Sequence, residues 1–321
     1  MATVNSRRRF LTNVSRGVLL ASLGPGVMSE LRLVPPAFGA EPEQSLTFGD
    51  MEPLVRLLQE TPVERLQGSL LQELENGRDL KTLIAAGALA NARTFGGEDY
   101  IGFHTFMALA PALKMSAEMP TGEAALPVFK VLYRNTNRIQ EFGGRESEVL
   151  HPVSAGDLTE ADAKSLHDLV MARDVAAAER RLQQLATDTP AAALDAVLEC
   201  VFDNPEVHRT VLPYRAWDMQ QIVGPQYAGM LLRQSLRYCV NAETHRRSQW
   251  EEHAAMLSRL MNKHGLHDRR PGSRSADDEF VEQLSRTFAT ASPVDSAEAA
   301  ASALAEDFAP AVIGEAISLA A

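Results

Sequence analysis

The chain has 321 residues, with 31 basic and 42 acidic side chains and a formal net charge of −11 at pH 7. Without its first 40 residues, which hold five arginines and one glutamate, it has 26 basic and 41 acidic side chains and a net charge of −15. An acidic surface without a basic stripe repels phosphate backbones, so nucleic acid is excluded as an expected partner. The length suffices for one large domain or two ordinary ones.

The first 40 residues have the pattern of an export signal. Residues 6–11 read SRRRFL, which resembles the twin-arginine signal, and a mild apolar run follows over residues 14–28. That run is interrupted by Arg16 and by Pro25 and its glycine neighbours, and it is shorter than the roughly 20 apolar residues of a membrane-spanning helix. We therefore expect a signal peptide over residues 1–40, the twin-arginine export machinery as a partner, and a periplasmic or otherwise exported mature chain without a permanent membrane span.

Nearly every segment after Met51 has helical periodicity, and no stretch alternates long enough to predict a sheet. Thr189 before Pro190 predicts a capped helix start, and the apolar pattern after Pro225 predicts one long helix or two, ending at Gly265. The fold class is predicted to be all-α.

Two stretches have a similar order of features: an apolar helix, an acidic turn, and a histidine that opens the next helix. They predict a helical bundle built from a loosely duplicated antiparallel helix-pair unit. The all-helical domain is expected over residues 41–266, a mobile linker over residues 267–279, and C-terminal helices over residues 280–321. The last residues, PAVIGEAISLAA, resemble the start of a further unit, so we expect the chain to be truncated there.

Cys200 and Cys239 are the two cysteines of the chain, and each lies in an apolar helical run. After export to an oxidising compartment they have the chance to pair, but buried thiols are common packing residues. Two free core cysteines are favoured over a disulfide.

Histidine is the residue type that remains for chemistry, since the familiar catalytic motifs are absent from the sequence. His104 and His208 occupy matching places in the two units, and across a pseudo-twofold axis they would converge on one metal ion. Imidazole suits iron, copper and zinc alike. Each histidine also has the plain alternative of a hydrogen-bonding role in a helical core. His151, beside a proline in a loop, is a candidate third ligand, and the alternative is an exposed loop histidine.

The segment LPYRAWD follows His208 and adds candidate catalytic residues. Asp218 is a candidate to orient an imidazole, and Tyr214 and Arg215 are candidates to contact an anionic substrate group. The alternative is an aromatic core cluster with an Arg–Asp pair at its rim. The acids before His104, Glu98 and Asp99, are expected to anchor a helix N-terminus.

The stretches LANARTFGGEDYIGFHTFMALAP and VHRTVLPYRAWD give the chain a resemblance to bacterial twin-arginine-exported all-helical proteins without assigned activity, and to the questin oxidase-like family. The resemblance spans residues 79–241. In that family helical repeats carry histidines at helix starts, and the named member performs an oxidative ring opening. The resemblance implies a role for His104 and His208.

Three functions are compatible with these patterns. The first is an exported metal- or cofactor-dependent oxidoreductase acting on a small organic substrate. The second is a non-catalytic helical-repeat module that binds a cell-envelope partner. The third is a carrier of a small-molecule ligand.

Overall fold

The computed structural model describes residues 45–153, 164–245, 248–267 and 269–321. Within these ranges it has fourteen α-helices and no β-strand, so the predicted all-α class is confirmed. The predicted signal peptide, residues 1–40, lies outside the described residues. None of the described helices combines the length and the apolar character that crossing a membrane requires.

The helices follow one another with short connections. In chain order they are α1 (Glu52–Glu60), α2 (Val63–Glu75), α3 (Leu80–Phe95), α4 (Tyr100–Glu118), α5 (Ala125–Phe142), α6 (Leu166–Met171), α7 (Val175–Asp188), α8 (Pro190–Phe202), α9 (Val207–Val223), α10 (Ala228–Ala242), α11 (Ser248–Lys263), α12 (Asp278–Thr290), α13 (Pro293–Ala305) and α14 (Pro310–Ala320).

Local sequence sets several helix boundaries. Thr189 caps α8 by accepting a hydrogen bond from the Ala192 amide, and Pro190 opens that helix as predicted. Of the two arrangements predicted after Pro225, one long helix or two, the structure has two helices, α10 and α11. Gly265 follows the second in a left-handed conformation, with φ of +61°.

The core of the larger group of helices, α1 to α10, is built around α3. Every residue from Leu83 to Phe95 is buried, so α3 has no solvent-facing side over this span. Helices α1, α4, α5, α9 and α10 all pack against it. Because α4 and α9 both pack against α3, the positions of their N-termini relative to each other are fixed by the same buried helix.

Two glycines after α3 bring this turn close to α10. Gly96 ends α3 with φ of +53°, and Gly97 follows with φ of +80°. A Cβ atom on Gly97 would lie 2.2 Å from the backbone oxygen of Gln234 in α10. The turn therefore requires glycine for its conformation and for its close approach, and it sets where α4 begins.

The last three helices form a separate apolar cluster. Residues Val281, Leu284, Phe308, Ile313 and Ala316 are its buried centre. Before them, Arg274 exchanges backbone hydrogen bonds with Asp307 and Ala309. The predicted mobility of residues 267–279 and the predicted truncation are not tested by these contacts and stay predictions.

The structure does not confirm the predicted duplication of a helix-pair unit. It does place α4 and α9, the helices that carry the two candidate histidines, side by side. His104 lies beside His208 near the N-termini, and the Lys114 Nζ atom lies 3.1 Å from the Asp218 carboxylate further along. Since early positions meet early ones and late positions meet late ones, α4 and α9 run in the same direction.

Candidate functional site

The structure brings His104 and His208 together, although 104 positions separate them in the chain. Their ring centroids are 5.2 Å apart, with an angle of 76° between the ring planes. His104 lies in the first turns of α4, and His208 is the second residue of α9. The parallel packing of the two helices places both imidazoles at the same end of the bundle.

The ring of His208 is oriented by Glu206, which precedes it by two residues. His208 Nδ1 donates to Glu206 Oε1 at 2.7 Å, and the same carboxylate caps α9 by accepting from the His208 and Arg209 amides. Burial raises the pKa of Glu206, but these hydrogen bonds outweigh it and hold that pKa below its ordinary value. The carboxylate is thus an acceptor, which fixes the proton of a neutral His208 ring on Nδ1.

The ring of His104 is oriented in the same way by a different oxygen. Its Nδ1 atom lies 2.6 Å from the backbone carbonyl oxygen of Tyr100, one turn earlier in α4. A carbonyl oxygen only accepts, so Nδ1 carries the proton here too. Both rings therefore keep the lone pair of Nε2 for a metal ion or a proton, as in histidines whose other nitrogen is held by an oxygen partner.

Aromatic rings surround the imidazole pair. Phe103 is stacked against His104 at 4.8 Å between ring centroids, and it lies 5.0 Å from His208. Tyr100, which is itself exposed, contacts both imidazoles. Tyr238, from α10, packs against His208 and donates its hydroxyl to Glu206 Oε2 at 3.1 Å. Burial, together with the adjacent Glu206 charge, raises the pKa of Tyr238, so its hydroxyl stays protonated.

Asp99 fixes the start of α4. Its carboxylate accepts from the Gly102 amide at 2.6 Å and from Arg138 of α5, with Nη2–Oδ2 at 2.6 Å and Nε–Oδ1 at 2.9 Å. The hydrogen bond from Arg138, aided by the Gly102 amide, holds the pKa of Asp99 below its usual range despite partial burial. This confirms the expected helix-anchoring role of Asp99 and attaches the His104 turn to α5.

A buried polar network supports the same turn from inside. Thr105 Oγ1 donates to Asn135 Oδ1 at 2.9 Å, and the Asn91 amide donates to the same oxygen at 2.7 Å. These three side chains come from α4, α5 and α3. Because each is buried and hydrogen-bonded, the network fixes the rotation of α4 next to His104.

The predicted catalytic residues lie further along α9. Asp218 binds Lys114 and Arg215, and it lies ten residues after His208, about 15 Å along a helix axis. The acid at the His208 imidazole is therefore Glu206 and not Asp218. Tyr214 is 58% exposed, with the Arg215 guanidinium 5.1 Å from its ring centroid. That arrangement is an aromatic and ionic surface cluster on α9.

Two residues that contact the imidazole site were not predicted from the sequence. Glu206 was detectable, since an acid at a helix N-cap beside a histidine is within reach of its ring. Tyr238 was not, because only the packing of α10 on α9 brings it to Glu206. Among the residues that the structure describes, no group of three or more His, Cys, Asp and Glu side chains is arranged to hold a metal ion, and His151 does not complete one.

An open groove of about 430 Å³ adjoins His104, one member of the imidazole pair. It runs between α4 and α5, and His104 lines it together with apolar side chains from both helices. Two basic residues of α5, Lys130 and Arg134, also line it. The site therefore combines two imidazoles with a neighbouring surface for a small molecule.

Comparisons with known proteins add no relative. A scan against protein-family models gave no match for the chain, and searches of curated proteins and of solved structures gave none either.

Proposed function

We propose that this protein is an exported, metal-dependent oxidoreductase that acts on a small organic substrate, with His104 and His208 as metal ligands. The observation that carries the proposal is the 5.2 Å separation of the two imidazole centroids, with both Nδ1 atoms held by oxygen partners. Two Nε2 lone pairs at one end of a bundle suit a single transition-metal ion.

The protein would supply two ligands to such an ion and leave the other positions to water or substrate. Open coordination positions are the property that separates catalytic from structural metal sites. A bound iron or copper ion would supply the redox chemistry. Glu206 and the Tyr100 carbonyl would hold the rings in their ligating tautomer, and the surrounding aromatic rings would limit access of water.

The proposed export route agrees with a metal site. The twin-arginine route is known for moving folded proteins, so a metal ion inserted in the cytoplasm would travel with the chain. Tyr214 and Arg215 stay predictions as substrate contacts, since they lie on the surface of α9 beyond the imidazole pair.

The test is metal analysis of the full chain purified after folding in the cell. We expect stoichiometric iron, copper or zinc in the wild type, and its loss in the His104→Ala/His208→Ala double variant. His267→Ala, which removes an exposed imidazole elsewhere, is the control and should keep the metal. A wild-type protein that is metal-free and does not take up these ions overturns the metal proposal.

The groove beside His104 favours a second candidate, a carrier of small apolar ligands. A metal-free protein that copurifies with an organic molecule would support this candidate. A protein with neither metal nor small ligand would instead favour the third expectation, a binding module of the cell envelope.

A further inference from the structure

We propose that the groove between α4 and α5 binds an amphipathic carboxylate, a molecule with an apolar chain and one anionic head. The idea that this carboxylate is the substrate of the imidazole site rests on the proposed function. The idea that the groove binds it depends only on the groove itself.

The floor of the groove is apolar because two helix faces are apolar there. On α4, Ile101, Ala108, Ala112 and Met115 line it, and their spacing places them on one face of the helix. Ile101 is 45% exposed and Met115 is 56% exposed. Exposed large apolar side chains along a concave surface cost free energy unless something covers them. Small side chains between them leave room for a chain.

The α5 side of the groove carries its charge. Lys130 and Arg134 are four residues apart on this helix, so they project from one face. Both are exposed, and neither forms an ion pair with any residue that the structure describes. Two exposed cations one helical turn apart at the groove are complementary to an anion and not to a neutral or cationic ligand.

The register of the two helices places this charge near the imidazoles. Thr105 forms a hydrogen bond with Asn135, and Asp99 forms one with Arg138. The start of α4 therefore lies beside the second half of α5. Arg134 is therefore next to the turn that carries His104. A carboxylate held by Arg134 and Lys130 would lie at the imidazole end, while its apolar chain extends toward Met115.

A free carboxylate is the occupant to which the structure points, in preference to a membrane surface. The apolar side chains line a groove of about 430 Å³, which is the size of a pocket for a single small molecule. Guanidinium pairs closely with a carboxylate through two parallel hydrogen bonds.

Binding is tested by calorimetric titration of the metal-free full-length protein with dodecanoate below its micellar concentration. We expect saturable binding with one site. Lys130→Glu/Arg134→Glu should weaken it by about a hundredfold, since each charge-assisted contact is worth about tenfold in affinity. The matched control, Lys81→Glu/Arg259→Glu, makes the same charge change at exposed positions outside the groove and should leave the affinity unchanged.

The apolar floor is tested separately. Ile101→Ser/Met115→Ser should weaken dodecanoate binding by about tenfold or more, whereas Leu71→Ser, at an exposed leucine of α2, should not. Circular dichroism and the thermal midpoint show whether each variant is folded. The conservative variant Lys130→Arg keeps the charge and should keep the affinity, even where the charge-reversed protein is destabilised.

Three results would overturn the inference. The first is equal affinity of the wild type and the folded charge-reversed variant. The second is dodecyltrimethylammonium binding as tightly as dodecanoate. The third is binding to anionic phosphatidylglycerol vesicles, abolished by the same substitutions, without binding of free dodecanoate. If the wild type binds dodecanoate in the groove but neither contains nor takes up iron, copper or zinc, the proposed function fails while the groove assignment stands.

Discussion

Glu206 holds the His208 ring through a 2.7 Å hydrogen bond from Nδ1, and it does so from the N-cap of the helix that carries that histidine. One carboxylate thus caps the start of α9 and fixes the tautomer of the imidazole. Tyr238 binds its second oxygen, so the position of the carboxylate depends on α10 as well.

Glu206→Gln tests whether this orientation serves metal binding. The amide oxygen can still cap α9, but the negative charge that makes the ring a better ligand is lost. We expect zinc affinity, measured by competition with a chelating dye, to fall about 10- to 100-fold, with a small change in thermal midpoint. Glu199→Gln, at an exposed position of α8, is the control. Equal zinc affinity in both variants would show that Glu206 does not contribute to metal binding.

Gly97→Ala tests the close approach of the α3–α4 turn to α10. The added methyl would lie 2.2 Å from the Gln234 oxygen, and φ of +80° is unfavourable for alanine. We expect a loss of about 2 kcal/mol or more in the free energy of unfolding, measured with urea. Gly68→Ala, at a helical position of α2 with nothing within 4 Å, should instead stabilise by about 0.5–1 kcal/mol. A neutral effect at Gly97 would contradict the described packing.

Asp99→Asn tests the anchor of α4 and gives a pH dependence. The pKa of Asp99 is lower in the folded protein than in the unfolded chain, so its contribution is present above about pH 4 and is lost as pH falls through the folded pKa. We expect the variant to lose about 1–2 kcal/mol at pH 7. The difference from the wild type should shrink in acid. A difference that stays constant between pH 7 and pH 3 would show that the ion pair with Arg138 is not its source.

The cysteines give a chemical test of the core. Cys200 and Cys239 are free and buried, and burial raises the pKa of Cys239 to about 12 and raises that of Cys200 as well. A thiol in this state reacts slowly, because the thiolate is the nucleophile. We expect Ellman's reagent to find no rapidly reacting thiol in the native protein and two after unfolding without reductant. No thiol after unfolding would indicate a disulfide.

Local signals in the sequence determined the all-α class, the helix start at Thr189 and Pro190, and the helix end at Gly265. These helix boundaries depend on residues within one or two turns, because a capping side chain, a first-turn proline or a terminal glycine acts on the backbone groups next to it. Local signals also indicated the two histidines at helix starts and the anchoring role of Asp99.

The tertiary structure alone decided which of these residues meet. His104 and His208 are neighbours because α3 supports two parallel helices, and Tyr238 reaches Glu206 because α10 packs on α9. The groove exists because α5 lies against α4 in the register set by the Asp99–Arg138 and Thr105–Asn135 contacts. Such contacts join residues far apart in the chain, and their geometry follows from how buried side chains fill the space between helices, which no local pattern encodes.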